Sequence, residues 1–138
     1  MAEEQKKLKL VSNTQIYLDT RRLLDKVLDV TPNIPRNYKF TIGSRMQDTS
    51  VSLIQEFAAA YMTRDRNERI KHIDNFRALF ETLKTLIRIA GERKWIKGMG
   101  IHAEIIELTD KIGKQMTAWK NSLSKSVSYT HLTLPTIA

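Results

Sequence analysis

Cysteine is absent from the 138 residues, which removes disulfides, thiolate metal sites and a cysteine nucleophile and fits a reducing cytoplasm. No apolar run approaches the roughly 20 residues of a membrane-spanning helix, so the reading is of a cytoplasmic chain with no membrane partner. The opening Met1-Ala-Glu-Glu-Gln-Lys-Lys-Leu-Lys-Leu10 mixes both charges and lacks the apolar stretch of a secretory signal. Glycine is too sparse to form a phosphate-cradling loop, and Gly98-Met-Gly100 is too short to count as one. No serine stands in a strained strand-to-helix elbow. Of three histidines, His72 and His102 lack the Glu-x-x-His spacing that a di-iron bundle sets on facing helices, and His131 lies in an atypical tail. Glu104 and Glu107 fall outside the apolar stripe and read as surface neighbours, not as an acid and base pair. The expectation is a chain without catalysis, metal or cofactor.

What is present is apolar periodicity and positive charge. With 41% hydrophobic residues, the chain has the length and the apolar content for one core. Ser12 with Gln15 forms a candidate capping box for a first helix ending near Asp29, with Ile16, Leu23, Leu24, Val27 and Leu28 inward. Thr31-Pro-Asn-Ile-Pro35 stops it, because prolines break the helical hydrogen-bond ladder, and Pro35 can open the next helix. That second helix, over about residues 35–62, carries Phe40, Ile42, Met46, Leu53, Phe57 and Tyr61. After the polar turn Thr63-Arg-Asp-Arg-Asn67, a third helix steps through Ile70, Ile73, Phe76, Phe80, Leu83, Ile87 and Ala90 at intervals of three or four. Residues 91–100 read as the longest ordered connection. A fourth helix, over about residues 101–123, repeats the stepping through Ile101, Ile105, Leu108, Ile112, Met116, Trp119 and Leu123. Short joins between four such helices predict an all-α, antiparallel up-down-up-down four-helix bundle over residues 14–124, with residues 1–13 as a flexible lead-in. Gly43 and Gly113, inside helices, are expected where another backbone comes close.

Residues 125–138 read as a disordered tail. Val127-Ser-Tyr-Thr-His-Leu-Thr-Leu-Pro-Thr136 carries no charge and no helical period, and it resembles the translation of a sequencing-library adapter. It is set aside in the functional reading.

The 23 Lys and Arg against 15 Asp and Glu leave a formal charge of +8 and a pI near 9.8, which suits phosphates or an acidic protein surface. Residues 1–35 are almost neutral, so the excess is localised beyond them. Arg77, Lys84 and Arg88 run beside the buried stripe of the third helix. Arg93, Lys94 and Lys97 continue into the connection, and Lys111 and Lys114 add to them from the fourth helix. These eight are the candidate nucleic-acid or partner-binding residues. Aromatics are few; Tyr38, Phe40, Tyr61 and Trp119 are expected in the core or at a subunit contact, while Trp95, between lysines, is the one expected to meet a partner.

Three segments, Pro35-Arg-Asn-Tyr-Lys-Phe-Thr-Ile-Gly-Ser-Arg45, Leu83-Lys-Thr-Leu-Ile-Arg-Ile-Ala90 and Ile112-Gly-Lys-Gln-Met-Thr-Ala-Trp119, resemble the accessory variability determinant proteins of diversity-generating retroelements. The broader set of four-helix-bundle proteins includes those encoded in intervening sequences of bacterial large-subunit ribosomal RNA genes. The resemblance implies a homopentamer without catalytic activity that associates with the retroelement's reverse transcriptase and binds RNA or DNA with little sequence preference during mutagenic copying. The alternative is a stand-alone interaction bundle of the ribosomal-intervening-sequence type.

Overall fold

The computed structural model describes Val11 and residues 14–137, with side chains described as far as Leu123. Helix α1, Gln15–Val30, starts at Thr14, whose hydroxyl accepts from the Tyr17 backbone N–H at 3.3 Å and satisfies one of the free donors of the first turn. The expected cap at Ser12 lies outside the described residues, as does all of the expected lead-in except Val11, which packs on the core. A 3-10 turn, Thr31–Asn33, ends α1 where Pro32 removes a ladder donor. Ile34 is buried beyond it.

The second helix begins in pieces. Pro35 precedes a helical turn, Arg36–Tyr38, then a π-helical segment, Lys39–Gly43, that leads into helix α2, Ser44–Met62. Helix α3, Arg66–Glu92, is capped by Asp65, whose carboxylate accepts from the Asn67 N–H at 3.3 Å. Helix α4 runs Met99–Ile137. Its backbone passes beyond Leu123 through residues expected to be non-helical, and His131 lies beyond the side chains described.

All four helices turn one stripe inward: Leu23 and Val27 of α1, Leu53 and Phe57 of α2, Phe76 and Leu83 of α3, Ile105 and Ile112 of α4. Burying each such side chain is worth about 1.5–3 kcal/mol, which makes this stripe the main source of stability. Each helix packs on the next, and α1 also packs on α4; α2 and α3 share the most extensive seam. Lys26 Nζ meets Glu104 at 2.6 Å, Lys120 Nζ meets Asp74 at 2.5 Å, and His72 Nδ1 meets Glu56 at 2.7 Å. There is no strand among the described residues.

Two polar side chains are tied to their surroundings by several hydrogen bonds. Asp19, with no exposed surface, accepts from the Gln15 amide at 2.9 Å and from the Gln115 amide at 2.8 Å, with Arg22 at 3.8 Å. A buried carboxylate left without such donors would be costly, so the Gln115 amide, reaching across from α4, fixes how α1 sits on α4. Arg69 donates to the carbonyls of Ala60 at 2.9 Å and Thr63 at 2.6 Å, closing the C-terminal end of α2, where helical carbonyls lack partners.

Four expectations about the core need correction. Phe40 is 84% exposed, because the chain passes through the π-helical segment there and Ile34 and Ile42 take the inward positions. Leu28 and Ile101 are also exposed: Leu28 lies one position off the α1 stripe, and Ile101 sits at the bundle end. There Trp95 and Ile96 fold back over the core in its place. Finally, Gly113 meets a side chain and no other backbone, Phe80 Cε2 at 3.5 Å from an added Cβ, and Gly43 meets Ile34 Cδ1 at 3.6 Å with a backbone atom, Tyr38 O five residues earlier, only at 4.0 Å. The close approach is at Gly91, where an added Cβ would stand 2.4 Å from His102 Cε1.

Candidate nucleic-acid interface

The α3–α4 seam opens into a groove of about 770 Å³ floored by Phe80, Ile87 and Met116. Four of the eight candidate cations, Arg77, Lys84, Arg88 and Lys114, line it. They share the rim with Glu81, Glu92 and Asp110. Lys84 is held by Glu81 at 2.7 Å and lies over the Phe80 ring at 5.2 Å, and Lys114 is held by Asp110 at 3.0 Å. Half of the groove's cations are thereby matched by neighbours on their own helix, and the rim alternates in sign. Such exposed pairs contribute little stability, but they lower the local potential offered to a polyanion.

Arg93, Lys94 and Lys97 stand elsewhere, at the end of the bundle where α3 gives way to α4. The α3 terminus explains their placement. The Lys94 N–H donates to Gly91 O at 3.1 Å and the Trp95 N–H to Ala90 O at 2.9 Å, the paired bonds of a Schellman motif, with Lys94 in the left-handed position at φ 62°. This turn throws Trp95 back onto the core, where it is 7% exposed. Trp95 is therefore a structural residue, not the free aromatic expected from its place between lysines. Its ring packs on Tyr38 at 5.2 Å, and the Arg93 guanidinium lies 5.2 Å from the Tyr38 ring and 5.5 Å from Trp95. Lys111 is exposed on α4 and lines neither the groove nor this end.

The Tyr38–Trp95 contact joins two stretches of chain that lack carboxylates altogether. Residues 30–47 hold Arg36, Lys39 and Arg45 with no Asp or Glu, and residues 93–103 hold Arg93, Lys94 and Lys97 with none. These six cations carry no ion pair with any described residue. The six cations thus lie in two carboxylate-free stretches, bordered in sequence by Asp29 and Asp48 and by Glu92 and Glu104. Reading the sequence by positive residues alone missed Arg36, Lys39 and Arg45; the missing acids were the signal. The alternating groove and the acid-free end are thus two surfaces where one continuous patch was expected.

Among the described residues no cluster of His, Asp and Glu is arranged to hold a metal ion. Glu104 pairs with Lys26, and the His102 ring lies against Gly91 with its Nε2 buried and unpartnered. No helix among the described residues is long and apolar enough to cross a membrane. A family model described as bAvd-like matches residues 10–123. No curated protein matches the chain.

Proposed function

The chain belongs to the bAvd-like family, and from that premise we propose that it is a non-catalytic accessory protein of a diversity-generating retroelement. It binds nucleic acid without strong sequence preference and associates with the reverse transcriptase, working in the cytoplasm as a homopentamer. The observation that carries this reading is the acid-free end, where six cations without ion pairs crowd two short segments. Phosphates are drawn to such a surface by charge and by counterion release, with no need for base-reading side chains. The order of the cross-helix pairs supports an up-down-up-down course: Asp19 and Lys26 of α1 meet Gln115 and Glu104 of α4 in reverse order.

The two surfaces divide the partners. The acid-free end, with Arg93, Lys94 and Lys97, takes the phosphates. The α3–α4 groove, with its alternating rim of Arg77, Lys84, Arg88 and Lys114 over an apolar floor, meets the reverse transcriptase, since mixed charge around apolar surface is the character of a protein interface. Lys111 on the adjacent face of α4 extends that contact.

Salt titration of nucleic-acid affinity tests the reading. For duplex DNA the slope of log affinity on log salt is about 0.9 per phosphate contact. The triple change Arg93→Gln, Lys94→Gln and Lys97→Gln flattens it by about 2 to 3, whereas Lys84→Gln with Arg88→Gln leaves it and instead reduces recovery of the reverse transcriptase in a pull-down. No affinity for polyanions and no recovered polymerase would leave a stand-alone interaction bundle.

A further inference from the structure

Among the described residues, the two most exposed large apolar side chains face water where a bundle would bury them. Phe40 is 84% exposed and Met99 94% exposed, and both belong to the segments that build the acid-free end. Phe40 lies in the Lys39–Gly43 π-helical segment, a backbone form that recurs at functional sites because it re-aims side chains. The segment is held by side-chain bonds to its own backbone, Thr41 Oγ1 donating to Tyr38 O at 3.3 Å and Ser44 Oγ donating to Lys39 O at 3.2 Å. Two residues before Phe40, Tyr38 is anchored on Trp95. An aromatic ring is therefore held out in water by an ordered scaffold, beside Lys39 in sequence and two residues from the Tyr38 ring on which the Arg93 guanidinium lies at 5.2 Å.

A solvent-facing ring among cations is unsuited to duplex DNA, whose bases are stacked inward and whose outer surface is phosphate. It is suited to an unpaired strand, in which each phosphate is followed by a free base face; stacking on an aromatic is worth about 1–3 kcal/mol per base and tolerates any sequence. We propose that the acid-free end is a binding site for single-stranded nucleic acid, with one base stacked on Phe40 and the flanking phosphates met by Arg36, Lys39, Arg93, Lys94 and Lys97. This rests on the nucleic-acid reading above and adds to it the strandedness of the ligand and the residue that selects it.

The test is fluorescence anisotropy of the full chain with a labelled 20-nucleotide oligo-dT and with a labelled 20-base-pair duplex. Phe40→Ala lowers affinity for the single strand about tenfold, within the range of one base–aromatic stack, and leaves the duplex unchanged; Phe40→Trp restores the single strand. Arg36→Gln with Lys39→Gln weakens both ligands. Because Phe40 is exposed, the thermal midpoint of Phe40→Ala matches the parent, which separates lost stacking from lost folding. Equal affinity of Phe40→Ala and parent for the single strand overturns the inference while leaving phosphate binding intact. A change in mass by light scattering on Phe40→Ala also overturns it, since the ring would then lie between copies of the chain. A parent protein that binds neither oligonucleotide removes the nucleic-acid reading and this inference together.

Discussion

Replacing Gly91 by alanine sets two effects of known size against each other. Alanine in a helix is favoured over glycine by up to about 1 kcal/mol, and Gly91 lies within α3. Its added methyl, however, would stand 2.4 Å from His102 Cε1 and 2.7 Å from Nε2, so the ring must move from a site packed between α3 and α4. Overpacking of that kind costs about 1–3 kcal/mol. The balance is a net loss of about 1 kcal/mol for Gly91→Ala. The same change made on His102→Ala, where the ring is gone, becomes a gain of up to about 1 kcal/mol. A double-mutant cycle by urea denaturation, followed by helical circular dichroism, therefore returns a coupling of about 2 kcal/mol. At a slope of roughly 2 kcal/mol per molar urea, each single step moves the midpoint by about 0.5 M. A Gly91→Ala protein more stable than the parent, with coupling under about 0.5 kcal/mol, would refute the close approach of His102.

Lys94→Gly raises stability by about 1 kcal/mol, because a left-handed backbone at φ 62° strains a side-chain-bearing residue and not glycine; a thermal midpoint below the parent's counts against the Schellman geometry. Arg69→Lys loses about 1–3 kcal/mol in chemical denaturation, since an ammonium cannot bridge the Ala60 and Thr63 carbonyls as the guanidinium fork does, and an unchanged midpoint would show that those bonds do not hold the end of α2.

The sequence carried the interior of this molecule well where one helix ran uninterrupted. The α3 stripe from Ile73 to Ala90 is buried as its spacing predicted, because a straight helix repeats its inward face at fixed intervals. Legibility failed where the backbone left that geometry. Phe40 sits in a π-helical segment whose presence depends on tertiary fit around Ile34 and Tyr38, and periodicity extends across such an interruption without registering it. Trp95 reads as free because its neighbours are lysines, yet the left-handed helix terminator Lys94, one position back, turns it inward. Among the candidate cations, proximity in sequence joins what space divides. Lys84 and Lys114 meet acids one helical turn away, while Arg93 is brought to Tyr38 by a contact spanning more than fifty residues, a distance no local pattern encodes.

The clasp on Asp19 bears on the order in which the protein assembles during synthesis. Its first amide comes from four residues upstream and its second from 96 residues downstream. The α2–α3 hairpin is built from nearer neighbours and can form while the ribosome is still making α4. Helix α1 can pack on α2 before that, but half the clasp on Asp19 stays unmade until Gln115 emerges. Closing so long a loop is the slow kind of step in a chain otherwise rich in local contacts, so of the four helices the first in order carries the bond that is locked last.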